Sequence, residues 1–175
     1  TVGKVAAGLA AGVVAVGAGV TKMVLGTAKA SGELVDLSNK TGIGVERLQE
    51  LSYAGDQLGV DLDTITGSLS KFTKNMGAAQ SGTGDAAETF AKLGIPIVDA
   101  NGKLRDSKVV MGEALDALGR METETERDVA SMALFGKSAM ELNPLIKAGS
   151  AELDRLSQEA RDNGAVMSKD AVEGM

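Results

Sequence analysis

Residues 90–107 read FAKLGIPIVDANGKLRDS, and they separate two stretches of the chain whose apolar residues have helical spacing. One helical run ends within the first residues of this tract, and a second begins at Ser107, which is placed to cap it. Between them Asn101-Gly102 stands among apolar positions, and this dipeptide is a strong hairpin signal because a tight primed turn needs positive φ. The tract therefore predicts one small β-hairpin near residues 97–105, with Asn101 and Gly102 as its structural turn.

Outside this tract, apolar residues recur at intervals of three and four, which is the spacing of one helix face. In one such run the apolar positions are Leu62, Ile65, Leu69, Phe72 and Met76. Other runs stop at Gly59 and at Gly149, because glycine readily adopts the left-handed conformation that ends a helix. The pattern predicts an all-α fold, built as a series of short helical hairpins around the single β-hairpin.

Residues 5–21 carry no charge and are flanked by Lys4 and Lys22. Their length is at the short end of the roughly 17–25 residues that a membrane-spanning helix needs. They predict a long Gly/Ala-rich helix ahead of the other helices. Because each glycine costs a helix about 1 kcal/mol relative to alanine, another surface must pack against it. The small residues expected to make this self-association or membrane contact are Gly8, Ala11, Gly12, Ala15 and Gly19.

Three interpretations of residues 5–21 stay open. They are a buried helix in a homo-oligomeric bundle, a membrane-active segment that is silent until triggered, or a processed signal peptide. The signal peptide is disfavoured because no initiator methionine precedes it and Ala/Gly is only weakly apolar. The chain runs from Thr1 to Met175 without a natural ending, and we expect it to be a fragment or processed piece of a longer polypeptide.

The composition favours helices that depend on neighbours over one thick core. Aromatic residues make up 2% of the 175 residues, whereas 43% are hydrophobic and 23 are glycine. Small side chains allow helices to approach closely but fill little core volume. The formal net charge of −6 argues against a basic face for duplex DNA, so no sequence-specific nucleic-acid binding is expected.

The residue types argue against an enzyme. The chain has no histidine and no cysteine, which removes the commonest general base and the thiolate nucleophile. Gly136-Lys137-Ser138 is similar to the end of a phosphate-binding loop, but Ser131 stands where that loop needs its first glycine. We therefore predict no catalytic, cofactor-binding or metal-binding residues and no cofactor.

Three tracts in this order resemble the tail tape measure proteins of long-tailed bacteriophages. The first is LSNKTGIGVERLQELSYA at residues 37–54, the second is the tract with Asn101-Gly102, and the third is ALFGKSAMELNPL at residues 133–145. The resemblance extends from about Leu34 to about Met167. Each tract alone is a weak signal, and their order makes the match specific.

The resemblance implies a structural segment that sets tail tube length during assembly and is released ahead of DNA during ejection. Its place would be the tail tube lumen or tail tip of the virion, and the host cell envelope during infection. Its partners would be copies of itself as a trimer or hexamer, tail tube and tail tip proteins, and the host inner membrane during ejection. A helix advances about 1.5 Å per residue, so chain length becomes tube length.

The predicted organisation has three parts. Residues 1–41 hold the Gly/Ala-rich apolar helix, residues 42–167 form the helical tape measure core domain with the β-hairpin, and residues 168–175 begin a further segment. The alternative function, from a different class, is a membrane-permeabilising oligomeric protein that inserts the Gly/Ala helix.

Overall fold

The computed structural model describes residues 28–174, and the secondary structure of this part of the chain is helical, with no β-strand. The prediction of an all-α fold is confirmed for these residues. The predicted Gly/Ala-rich helix, with Gly8, Ala11, Gly12, Ala15 and Gly19, lies outside them. The helices are α1 (Ala28–Thr41), α2 (Val45–Leu58), α3 (Leu62–Gln80), α4 (Asp85–Lys92), α5 (Ser107–Gly119), α6 (Glu124–Phe135), a 3-10 helix (Lys137–Leu142), α7 (Asn143–Asp162) and α8 (Lys169–Glu173).

Glycines end the helices where the sequence predicts. Gly59 has φ 75° and ψ 34°, so it ends α2 in the left-handed conformation. Gly149 has φ 79° and interrupts α7, which divides it into a short segment and a longer one that begins at Ser150. The predicted break between these two helical runs is therefore confirmed.

The three phenylalanines of the chain meet in one core. The ring of Phe72 stacks on that of Phe135 with centroids 4.9 Å apart, and it meets the edge of Phe90 at 5.6 Å. Around them, buried residues from α2 to α7 form one apolar cluster that runs from Leu51 to Leu153. This compact core differs from the expectation drawn from composition, because the few aromatic rings converge at one point instead of being spread along the chain.

The predicted β-hairpin is reduced to a single antiparallel bridge between Val98 and Leu104. The N–H of Gly102 donates to the carbonyl of Asp99 (3.0 Å), and Gly102 has φ 77°, so the central pair of the turn is Ala100-Asn101. The left-handed residue, Gly102, follows the turn, as in three-residue hairpin loops. The prediction of a primed two-residue turn centred on Asn101-Gly102 is therefore wrong.

Residues on both sides explain why no strand extends from this bridge. Pro96 has no backbone N–H, which removes a donor at one end. Asp106 already caps α5 at the other end, where its carboxylate accepts from the N–H groups of Lys108 and Val109 at 2.8 and 3.4 Å. The predicted cap at Ser107 is therefore displaced by one residue, because Ser107 is the first residue of the helix.

Both chain ends of the described part lie together. Helix α1 packs against α8 and α2. Leu34, Val45, Leu48 and Val172 form a second apolar cluster there, and each is 3% exposed or less. Apolar contacts thus cross both of the boundaries predicted at residues 41 and 167.

Two glycine-to-alanine substitutions, one in α2 and one in α3, are expected to change stability in opposite directions. A Cβ added at Gly55 would lie well inside contact distance of the Val60 carbonyl oxygen and 2.9 Å from Cδ1 of Ile65. We expect Gly55→Ala to lower the free energy of unfolding by about 1–3 kcal/mol. Gly67 lies on an exposed position of α3 with nothing within 4 Å, so Gly67→Ala should raise it by roughly 0.5–1 kcal/mol. Urea denaturation of both variants measures the difference, and equal stabilities would contradict the close approach at Gly55.

Candidate functional site

The sequence-predicted turn residues lie on the surface. Asn101 and Gly102 are exposed, and the carboxylate of Asp99 accepts hydrogen bonds from the N–H groups of Asn101 (2.8 Å) and Lys103 (3.0 Å). The side chain of Gln80 donates to the Gly102 carbonyl at 3.0 Å and ties the turn to the end of α3. These contacts give the turn a structural role.

An open cleft of about 430 Å³ lies between α5 and α7, with Arg47 of α2 at its margin. Three carboxylates line it, those of Glu113, Asp116 and Asp154, and the first two are already engaged. Asp116 accepts from the N–H of Ser150 (2.7 Å) and from its hydroxyl (2.5 Å), so it caps the second segment of α7. Glu113 forms a bidentate pair with Arg105, whose hydrogen bonds lower the pKa of the Glu113 carboxyl. The contacts of Asp116 and Glu113 thus hold the walls of the cleft together.

A buried carboxylate joins α2 to α7. Glu50 is 1% exposed and accepts hydrogen bonds from Arg47 (2.8 Å) and from Arg161. Arg47 also donates to the hydroxyl of Ser157 at 3.0 Å. Burial alone would raise the pKa of the Glu50 carboxyl, but the hydrogen bonds from both arginines outweigh burial and hold that pKa below its ordinary value. We call Glu50, Arg47 and Arg161 the α2–α7 ion cluster.

The same helix pair is joined by a second polar chain beside the ion cluster. The hydroxyl of Tyr53 donates to Glu159 at 2.8 Å, and Glu159 in turn accepts from Arg155 at 2.6 Å. Burial and the neighbouring carboxylate raise the pKa of Tyr53. Both sets of contacts fasten two helices together, which is a sufficient structural reason for the shifted pKa values.

Side chains of α2 hold the segment that follows α7 by hydrogen bonds to its backbone. The side-chain amide of Gln49, which is 2% exposed, donates to the Met167 carbonyl and accepts from the Met167 N–H, each at 2.9 Å. The carboxylate of Glu46 accepts from the N–H of Lys169 at 2.8 Å. Backbone N–H groups of Glu46 and Lys169 lower the pKa of Glu46. We call residues 167–174 the C-terminal strap, and the surface of α1 and α2 under it the strap groove.

Three other features that could carry chemistry are a carboxyl with a raised pKa, the motif at Gly136 and groups of metal-binding side chains. Partial burial of its carboxyl and the charge of Asp61 raise the pKa of Asp56. The residue as a whole is exposed on α2, and it lies outside the α5–α7 cleft. Gly136 links α6 to the 3-10 helix, and a helix precedes it where a phosphate-binding loop requires a strand. Within residues 28–174, no three histidine, cysteine, aspartate or glutamate side chains are grouped closely enough to hold a metal ion.

Comparison with protein-family models, with curated proteins and with solved structures finds no match for this chain.

The sequence reasoning missed the strap groove and the α2–α7 ion cluster. One signal for the groove was present, since Gln49 lies one helical turn after Val45 and one before Tyr53, on a face that is otherwise apolar. A polar residue on such a face needs hydrogen-bond partners when it is buried. Nothing in the sequence pairs Glu50 with Arg161, because 111 positions separate them.

Proposed function

We propose that this chain is a structural segment of a phage tail tape measure protein, which sets tail tube length during assembly and leaves ahead of the DNA during ejection. The order of the three tracts, at residues 37–54, 90–107 and 133–145, carries the proposal. The all-α fold of residues 28–174 supports it, because each tract lies within one packed helical domain.

The contacts of the described domain suit a structural role. Its buried polar groups, such as Glu50 and Gln49, join helices, and Glu113 and Asp116 of the α5–α7 cleft already have partners. The net charge of −6 would keep the chain from adhering to DNA that shares its channel. The segment would therefore act by occupying length and by touching protein neighbours.

The proposed partners are copies of the same chain, together with tail tube and tail tip proteins. Contact between copies would use the Gly/Ala-rich helix predicted for residues 5–21, where Gly8 and Gly12 would let two helix backbones approach closely. In this proposal the protein lies in the tail tube lumen or at the tail tip, and reaches the host envelope during infection. No helix within residues 28–174 is both long enough and apolar enough to span a membrane.

Tail length tests the proposal. Inserting about 70 residues of continuous helix after residue 174 of the full-length protein should lengthen tails by roughly 105 Å, because a helix advances 1.5 Å per residue. A Gly/Ser insert of equal length should add at most about 45 Å, since a flexible chain spans less. Electron micrographs of the two phages give the mean lengths.

Tails of unchanged length with the helical insert would contradict the ruler function. Leakage of lipid vesicles caused by the purified chain, in that case, would favour the membrane-permeabilising alternative, which rests on the uncharged residues 5–21 and their stripe of small side chains.

A further inference from the structure

The strap groove is a built recognition site for a peptide segment. The side-chain amide of Gln49 hydrogen-bonds both the N–H and the carbonyl of Met167. Paired residues of neighbouring strands make the same two hydrogen bonds to each other's backbone. Val172 of the strap is 3% exposed, in the apolar cluster formed with Leu34, Val45 and Leu48. The groove thus combines one backbone contact with one side-chain pocket, which is the combination that peptide-binding surfaces use.

Every partner named for the strap belongs to α1 or α2. Met167 pairs with Gln49, Lys169 with Glu46, and Val172 lies with Leu34. Just before the strap, Ala165 and Val166 pack against the cluster that Tyr53 and Ala54 of α2 form with Leu156 and Ala160 of α7, and the N–H of Ala165 donates to the Ala160 carbonyl at 2.8 Å. Residues 165–166 thus have apolar contacts of their own, separate from the Leu34–Val45–Leu48 cluster that holds Val172.

Few buried contacts hold the strap in its groove. Val172 is its one fully buried side chain, and α8 is a helix of only five residues. The chain enters this region through the exposed pair Asn163-Gly164, where Gly164 has φ 71°. Segments with few buried apolar contacts open locally without unfolding the rest of a domain.

We propose that the strap groove accepts residues 167–174 of a second copy of this chain, so that neighbouring copies are joined by exchange of their straps. The exchanged contacts are the same as those within one chain, so exchange loses no interaction and needs only proximity of the copies. Because the groove and the strap are different surfaces, two copies can exchange straps with each other, or each copy can give its strap to one neighbour and take one from another in a head-to-tail contact. Such a head-to-tail contact builds a row or a ring of copies. This proposal rests on the proposed function in one respect, namely that copies of the chain lie close together.

The absence of cysteine from the chain permits a clean cross-linking test. One variant carries Leu34→Cys and a second, with a mass tag, carries Val172→Cys. The two are mixed at high concentration and oxidised. We expect mixed disulfide dimers in clear excess over dimers of either variant alone. A pair of variants carrying cysteine at the exposed Ser81 measures random collision. Mixed dimers no more frequent than this control would overturn the proposal.

A second measurement guards against a cysteine that disturbs the apolar cluster. The double variant Leu34→Cys/Val172→Cys, oxidised at high dilution, locks each strap in its own groove. Helical content by circular dichroism confirms that it is folded. We expect the unlocked protein to associate with rising concentration in sedimentation and the locked form to associate less, since contacts through residues 5–21 are open to both forms. Equal association of both forms would overturn strap exchange. The tail-length result is independent of this outcome, because it does not require purified copies to join.

Discussion

Replacing Arg47 and Arg161 together by methionine is expected to lower the free energy of unfolding by roughly 3–5 kcal/mol at neutral pH, because it leaves a buried carboxylate without a cationic partner. Glu50 is 1% exposed, and both arginines bond to it directly. Methionine retains the apolar stem of arginine, so the loss comes mainly from the charge. Each single replacement should cost much less than half, since the remaining arginine still pairs with Glu50.

The pH dependence of this loss has a defined sign. In the unchanged protein the pKa of Glu50 lies below its ordinary value of 4.5, so the stability that it contributes is present above that value and is lost as the pH falls through the lowered pKa. In the double variant, burial without a partner should raise the pKa instead. The difference in stability between the two proteins should therefore be full at neutral pH and shrink as the pH falls through that raised pKa.

Two further variants control for loss of packing. Adding Glu50→Met to the double variant removes the buried charge and should restore most of the lost stability. Arg155→Met, on the same helix, removes an arginine whose partners Glu152 and Glu159 are 38% exposed, and it should leave the unfolding midpoint nearly unchanged. Urea denaturation at several pH values measures the stability of the two single variants, the double variant, the triple variant and Arg155→Met. A double variant as stable as the single ones at neutral pH would show that Glu50 does not depend on these arginines.

In-frame deletion of residues 28–174 from the full-length protein should shorten tails by no more than about 40 Å, the approximate diameter of a compact domain of this size. The same residues as one continuous helix would span about 220 Å. We expect the smaller value because the domain has one main apolar core and because α1 and α8, at its two ends, lie against each other.

Mean tail length in electron micrographs distinguishes these two outcomes. The helical insert after residue 174 serves as the control, because it should change length by the full helical rise per residue. A shortening near 220 Å on deletion would mean that the segment lies extended in the tail, with its core opened.

Local rules predicted the helix ends at Gly59 and Gly149. Gly59 and Gly149 end helical runs because their left-handed conformation suits glycine, and this preference can be read from the residue itself. The turn at residues 97–105 was predicted in place but not in type. There the carboxylate of Asp99 binds two backbone N–H groups and selects the loop in which Gly102 follows the turn.

Contacts between distant residues could not be predicted in the same way. The convergence of Phe72, Phe90 and Phe135 depends on how α3, α4 and α6 pack, and no local pattern encodes that packing. The pairing of Glu50 with Arg161 and the backbone contact of Gln49 with Met167 likewise cross more than a hundred positions. A polar residue on an apolar helix face indicates that it needs hydrogen-bond partners, but it does not show which residues those partners are.

The contact between α1 and α8 also determines how this domain would respond to mechanical tension. A force applied through residues 28 and 174 acts first on the contacts that α1 and α8 make with each other and with α2. The terminal helices would detach first, and the phenylalanine cluster would be the last to give way. A molecule drawn lengthwise out of a narrow tube would then unravel from its ends at low force and pass through as a thread.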